Sequence, residues 1–471
     1  MVNRLRKNGL RDGRQIFFGG VWHIVVLLLL SVVAATACRT SATSFDTADK
    51  DSPQARQDRA AIDTALAGIE KYRKGDAVIR VIDKNGKPLP NARLDIRQLS
   101  HSFKFGCYLK IDDLEPGLVP NYERRFAALF NYAVVGTYWD AMETRRGDEN
   151  WIWFDREIQL AQKMGIGIQA SPVLWGTNKY GTPAWLPRDK DDLQPVIERR
   201  VKSVLSRNEH ISDWEIVNEP LAPKRDAFAG GGTENYISSA FRWAKEADPN
   251  GRHLINEYGV FGSVADHNYN RDTYFELLSR SIAMDVPIDL IGMQAHANGE
   301  WYSPSNVAEN LERYASLGRP IQITEFSAQT KDFNDRRSPL AISGEYRSGV
   351  WDDAKQAEFY REFYTVAFGN PHVDAIITWG LDDYRAWLPG IGLIDKHGIP
   401  KPVYRELDAL INSEWKTRLS SVADNGGSLA MRGFYGKYEV TATRSDGAAV
   451  VRTEFDLDHR ERNVWTIQIG K

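Results

Sequence analysis

Ser212-Asp213-Trp214-Glu215-Ile216-Val217-Asn218-Glu219-Pro220 is a short apolar run that stops at two polar residues and a proline. Seven other segments have the same form: residues 103–109, 132–139, 165–175, 253–261, 289–296, 320–326 and 374–382. Runs this short, ending in polar or aromatic residues, read as strands covered on both faces. Between them, apolar residues recur at helical spacing over 122–130, 153–164, 191–207, 234–247, 271–285, 305–317 and 352–369, and residues 402–415 follow the last strand. Pro304-Ser305 and Asp352-Asp353 are recognisable helix starts. Eight strands, each followed by a helix, predict a closed (β/α)8 barrel over residues 101–418. An open doubly wound sheet is the alternative, but no glycine-rich phosphate loop follows the first strand.

The flanks have a different style. Residues 77–82 and 92–98 surround the turn Asp83-Lys84-Asn85-Gly86-Lys87-Pro88, and strand patterns return at 436–443, 450–457 and 464–469. Neither piece makes a stable sheet alone. Residues 76–100 and 419–471 are therefore expected to pack together as one small β-domain built from both ends of the chain.

Residues 1–15 carry Arg4, Arg6, Lys7, Arg11 and Arg14 against one acid, Asp12, and an uncharged run follows from Ile16 to Ala37. A positive start, an apolar middle and small residues make an export signal. Its end, Ala35-Thr36-Ala37-Cys38, resembles a bacterial lipoprotein signal, with lipid carried on Cys38. The alternative is an uncleaved membrane helix, which a run of this length can form. Both place the remainder outside the cytoplasm, tethered to a membrane. Residues 39–75, rich in Ser, Thr, Asp, Ala and Gln, are expected to be a solvated linker with a helix over 58–72.

The whole chain has 471 residues, is 42% hydrophobic and 26% charged, and has a net charge of -3. That balance is ordinary for a globular protein and removes the electrostatic reason to expect nucleic-acid binding. The only cysteines are Cys38 and Cys107, so no disulfide framework and no structural zinc site are expected. Asp382 and Asp383 lack neighbouring ligands, and no metal or cofactor is assigned. Fourteen Trp leave room for sugar-stacking platforms beyond what a core needs.

In a barrel of this kind the chemistry is built at the carboxyl ends of the strands. The fourth strand ends in Asn218-Glu219, and the seventh reads Ile321-Gln322-Ile323-Thr324-Glu325-Phe326. Two carboxyls at facing strand ends are what glycoside hydrolysis requires: one protonates the leaving oxygen and the other attacks the anomeric carbon. Glu215 is expected on the alternate side of its strand, away from Glu219. The sixth strand ends Gly292-Met293-Gln294-Ala295-His296, with Gln294 and His296 on one face. The eighth continues Thr378-Trp379-Gly380-Leu381-Asp382-Asp383-Tyr384-Arg385-Ala386-Trp387. Asn256-Glu257-Tyr258 ends the fifth strand and could bind substrate or pair with loop residues.

Over roughly residues 100–415 these motifs resemble glycoside hydrolase family 10, the retaining endo-β-1,4-xylanases. The resemblance implies Glu219 as acid/base, with a pKa raised by burial and by the neighbouring anion, and Glu325 as an ionised nucleophile. It implies that Asn218 hydrogen-bonds the sugar 2-hydroxyl, that His296 orients the nucleophile, and that Gln294 stands beside the acid/base. Trp175, Trp379 and Trp387 match aromatic walls that stack on sugar, and Trp139 is retained among the sugar-binding residues. Core packing is the competing role for each Trp, and a satisfied core histidine the competing role for His296. The substrate implied is a xylan-like polysaccharide or oligosaccharide.

The sequence also departs from the family. Lys and Asn that bind the next glycone-side sugar are Tyr138 and Val135. A sugar-contacting His on the third strand is Ser171, and an Asp two residues after the nucleophile is Ser327. A decorated xylan or another β-linked glycan stays open as substrate, as does a surface glycan-binding protein without turnover.

Overall fold

The computed structural model describes residues 51–177, 181–187, 189–207, 210–221, 232–262, 265–344, 346–384, 386–459 and 462–470. The expected signal and Cys38 lie outside the described residues. Among the described residues no helix is long and apolar enough to cross a membrane.

Eight parallel strands close into a barrel: β1 (Lys104–Tyr108), β2 (Tyr132–Gly136), β3 (Gly167–Ser171, resumed at Leu174–Trp175), β4 (Asp213–Asn218), β5 (Arg252–Glu257), β6 (Leu290–Ala297), β7 (Ile321–Ala328) and β8 (Val373–Thr378). Each pairs with its neighbours in sequence, β8 with β1, and β4 with both parts of β3, so the ring has no free edge. β2, β4 and β7 are buried along their whole length because helices cover the outside while side chains fill the inside. β3 is interrupted at Pro172, which has no N–H for the ladder; Val173 N–H rejoins it by donating to Glu215 O at 2.8 Å.

The lower end of the barrel is plugged by charge. Asp213, fully buried, accepts from Lys104 Nζ at 2.7 Å, Arg252 Nη2 at 2.6 Å, Gln322 Nε2 at 3.1 Å and the Tyr132 hydroxyl. Asp374 shares the same two cations. These bonds hold Asp213 down to about 2, overcoming its burial.

Part of the expected linker is built into this fold. Pro53–Tyr72 is a helix capped by Ser52, whose Oγ accepts from Ala55 N at 3.1 Å. Its face of Ala55, Asp58, Ala65, Gly68 and Ile69 is buried, so from Pro53 onward the segment is packing surface rather than solvated spacer. At the crossing with helix Asp353–Gly369 (the outer helix before β8), a Cβ on Gly68 would stand 2.3 Å from Gly369 O, so only glycine fits. Asp58 anchors the helix through Ser303, Ser305, Tyr346 and Arg347.

The two ends of the chain meet in a sandwich. Lys74–Asp83 lies between Ser428–Phe434 and Asn463–Ile469 in one sheet; Arg418–Val422, Arg93–His101, Gly436–Thr443 and Val450–Leu457 form the other. Ile79, Val81, Leu94, Ile96, Tyr438 and Trp465 fill the space between. The outer face of the larger sheet carries paired charges, Arg97 with Glu439 and Lys437 with Glu454. Strands 418–422 and 428–434 escaped the sequence reading because polar residues and Gly433 break their alternation.

Candidate active site at the carboxyl ends of the strands

Glu219 and Glu325 are joined by a chain of amides. Asn256 Nδ2 donates to Glu325 Oε1 at 3.0 Å and to Asn218 Oδ1 at 3.1 Å. Gln294 Nε2 donates to Asn218 Oδ1 at 3.3 Å and to Glu219 Oε1 at 3.2 Å. Two donors on the Asn218 carbonyl oxygen leave its NH2 group to serve a ligand. The Asn256 amide is oriented in turn by Thr324 Oγ1, which donates to Asn256 Oδ1 at 2.6 Å. Gly292 makes room: a Cβ there would stand 2.9 Å from both Asn256 Oδ1 and Ile255 O.

The backbone aims the carboxyls. Glu219 sits in the left-handed region at φ 47°, uncommon for a side chain of its size, and its N–H is tied to Asn256 O at 2.7 Å. This turns Glu219 back over the barrel mouth, where Trp175 Nε1 donates to its Oε2 at 3.0 Å. On β7, the other Glu325 oxygen, Oε2, is 3.1 Å from His296 Nε2, and His296 Nδ1 is 2.8 Å from Ser327 Oγ. Burial holds His296 down to about 4, so the ring is neutral near pH 7.

Burial and the Glu219 charge push Glu325 well above the usual carboxylate range, with the Asn256 bond opposing them. This direction runs against the expectation that Glu325 stays ionised: two carboxyls in one dry site resist double ionisation.

Glu215 corrects a second expectation. It is fully buried, and its pKa is raised well above normal by burial first and by Glu325 next, with Glu219 adding to it, so it lies under the pair rather than away from it. Four residues apart is an even spacing, and a bulge between Glu215 and Val217 in the β4–β5 register shifts the pleat so that Asn218 faces inward too. Ser171 hydrogen-bonds Glu215 and is itself buried, so it sits below the ligand level.

The tryptophans divide. Trp387 is 50% exposed and its ring stands T-shaped to His296, with centroids 5.0 Å apart. Trp175 is half-buried beside Glu219. Trp379 is buried, with Tyr108 stacked on it at 4.4 Å. Trp139 is 1% exposed: its Nε1 donates to Glu143 Oε2 at 2.8 Å and Arg200 lies over its ring, so it is a core residue and not a sugar platform. Tyr138 hydrogen-bonds Tyr108 and lies 6.2 Å from Trp175, while Val135 is fully buried. Glu257 pairs with loop backbone, accepting from Leu221 N and Tyr258 N. Among the described residues no group of acids, His and Cys could hold a metal.

Asn256 escaped firm assignment because an Asn at a strand end carries no spacing signal; its role emerges only from the three partners around it. Cys107 is fully buried, and burial pushes its thiol far up, which leaves it inert.

The family model for glycosyl hydrolase family 10 matches residues 97–409. Endo-1,4-beta-xylanase B of Thermotoga neapolitana is 30% identical over 307 residues, covering 61% of this chain and 83% of that protein. Anti-sigma-I factor RsgI6 of Acetivibrio thermocellus is 25% identical over 387 residues, and the chain spans 46% of its length. Among solved structures, xylanase 10B from Thermotoga petrophila RKU-1 in complex with xylobiose superposes with a TM-score of 0.53 at 25% identity, covering 66% of this chain and 95% of that one. The match extends over most of the barrel, and the chain belongs to glycosyl hydrolase family 10, an endo-xylanase-like glycoside hydrolase acting on O-glycosyl bonds.

Proposed function

We propose that the protein is a retaining endo-β-1,4-glycanase that cuts xylan of plant cell walls by double displacement. The observation that carries this reading is the amide chain joining Glu219 to Glu325, which turns both carboxyls to one mouth. Glu325 attacks the anomeric carbon as Glu219 gives its proton to the leaving oxygen. Glu219 then deprotonates the water that displaces Glu325, and the configuration is retained. When sugar fills the mouth, the proton shared by the pair is drawn to the carboxyl facing the leaving oxygen, and Asn256 and His296 hold Glu325 as the anion. The Asn218 amide meets the sugar 2-hydroxyl, and Trp175, Trp379 and Trp387 supply apolar walls.

One observation favours a backbone other than plain xylan. The Tyr138–Tyr108 pair offers the second glycone sugar aromatic rings where the family offers Lys, and Val135 is withdrawn into the core where the family offers Asn. A hydroxyl contact of that kind governs discrimination over orders of magnitude. Product profiling on xylans, β-glucans and mannans separates the two readings.

The mechanism is tested with an aryl β-xylobioside and azide. Glu325→Ala gives the inverted α-glycosyl azide, because azide attacks the anomeric carbon directly. Glu219→Ala gives the retained β-azide, because azide replaces water in the second step. Absence of turnover by the wild type on every β-glycan overturns the enzyme reading of this site. The chain is further proposed to be exported and tethered through lipid on Cys38; radiolabelled palmitate incorporated by the wild type and not by Cys38→Ala supports this, and equal labelling refutes it.

A further inference from the structure

We propose that Ser327 is a positioning residue: its hydroxyl donates to His296 Nδ1, placing the ring proton on Nε2, from which it is donated to Glu325. The inference rests on the reading of Glu325 as nucleophile. It follows from the two distances on the imidazole, 2.8 Å from Nδ1 to Ser327 Oγ and 3.1 Å from Nε2 to Glu325 Oε2.

A histidine with a partner on each nitrogen has three states. An imidazolium would donate to both, but the ring is buried and its pKa is held down to about 4, so this state is absent near neutral pH. A neutral ring with its proton on Nδ1 would donate to Ser327 and turn a bare lone pair toward Glu325. That state needs the proton on Glu325, which as a neutral carboxyl is too weak a nucleophile to attack the anomeric carbon. The remaining state has Ser327 O–H donating to Nδ1 and Nε2–H donating to Glu325. Only here is an ionised Glu325 satisfied at both oxygens, by Asn256 and by His296.

A hydroxyl at 327 permits this and a carboxylate does not. An ionised Asp can only accept. At this place it would draw the proton to Nδ1 and stabilise the imidazolium, giving Glu325 a cation for a neighbour. Ser327 instead keeps the donor uncharged. Among the described residues, the other titratable groups facing His296 and Glu325 are Glu215 from β4, Glu219 just after it and Tyr138 after β2; the Tyr302 hydroxyl donates to His296 O. None of these is a cation. β7 therefore orients both donors to its own carboxylate, Thr324 through Asn256 and Ser327 through His296.

The test combines histidine 15N NMR on the full protein with pH profiles. In the wild type at a pH above the acid limb of kcat/KM, where Glu325 is the anion, His296 is expected to show a pyrrole-type Nε2 and a pyridine-type Nδ1; the reverse pattern, or an imidazolium, overturns the proposal without reference to activity. Ser327→Ala is expected to lower kcat about tenfold or more, the loss of a bond supporting a charged group, with KM within about twofold and the acid limb of kcat/KM moved up; Ser327→Thr restores both. Ser327→Asp is expected to move that limb down by about one pH unit as the imidazolium forms. An acid limb unmoved in both the Ala and the Asp variants refutes the role. Labelling by a 2-fluoroglycoside identifies the nucleophile separately: a label on another residue ends the reading of Glu325 while leaving the NMR result to judge the tautomer.

Discussion

Asn256→Ala isolates what keeps the attacking carboxyl ionised. Asn256 is fully buried and has three partners: Glu325 Oε1 at 3.0 Å, Asn218 Oδ1 at 3.1 Å and Thr324 Oγ1 at 2.6 Å. Alanine removes all three. A hydrogen bond to a charged acceptor contributes about 1.5–3 kcal/mol. Each pKa unit corresponds to about 1.4 kcal/mol, so losing the bond to the Glu325 anion raises its pKa by about 1–2 units. The direction is set because Asn256 favours the charged form while burial and Glu219 already oppose it. The acid limb of kcat/KM, which reports the free enzyme, is therefore expected to move up by about 1–2 pH units. The plateau above that limb falls much less. Stranding the Thr324 hydroxyl and one Glu325 oxygen also lowers stability by about 2–4 kcal/mol, read by thermal unfolding. The measurement is kcat/KM for an aryl β-glycoside across pH at a temperature where both proteins are folded. An acid limb that stays in place while the plateau drops tenfold would refute the reasoning, since Asn256 would then be acting on something other than Glu325 ionisation.

Glu215→Gln is expected to change stability by less than about 1 kcal/mol, because burial and the neighbouring carboxyls push Glu215 toward its neutral form, whose shape Gln shares, whereas Glu215→Ala opens a cavity and lowers stability by about 2–4 kcal/mol; a Gln variant as damaged as the Ala variant would show that Glu215 carries charge. Asp213→Asn leaves Lys104 and Arg252 with Asp374 as their remaining carboxylate and is expected to lower stability by about 1.5–3 kcal/mol in denaturant melts. The Asp213 folded pKa of about 2 lies below the unfolded value near 3.9, so its stabilisation, about 2 kcal/mol, is complete above the unfolded pKa and lost as pH falls through about 2; unfolding curves of wild type and Asp213→Asn should converge at the acid end. Gly68→Ala puts a methyl group into Gly369 O and is expected to lower stability by about 1–3 kcal/mol with little change in kcat, since the crossing is remote from the strand ends.

The barrel was legible because each strand announces itself twice, by an apolar run and by the polar residues where it ends. The ends carried Glu219, Glu325, Asn218, Gln294 and His296 to one place, as their positions on successive strands imply. Period two in fact puts Glu215 and Glu219, four residues apart, on one side; what it misses inside β4 is a bulge without a sequence signature, which puts Glu215 and Asn218 on the same side although they are three residues apart. Trp139 was misread for a related reason: a Trp after a strand end can face the mouth or fold back, and the Glu143 carboxylate that draws it into the core lies in the short helical turn that follows. The helix Pro53–Tyr72 was visible as a pattern, but nothing local says that Gly68 and Gly369 fit each other across three hundred residues.

Chemistry and selectivity are distributed over different strands. The linked set Glu219, Gln294, Asn218, Asn256, Glu325, His296 and Ser327 comes from β4 to β7 and the residue that follows β4, and every member holds another in place. Trp175, at the end of β3, joins the set from the other arc by donating to Glu219. The departure placed to meet sugar falls on the other arc: Tyr138 after β2, with Tyr108 from β1 closing against it, while Val135 and Ser171 are buried beneath. A change at Tyr138 is therefore expected to alter which sugar is held without removing a hydrogen bond of the linked set. Ser327 is the exception, a departure within the reacting arc. Its consequence should therefore appear in the pH profile and not in the choice of glycan.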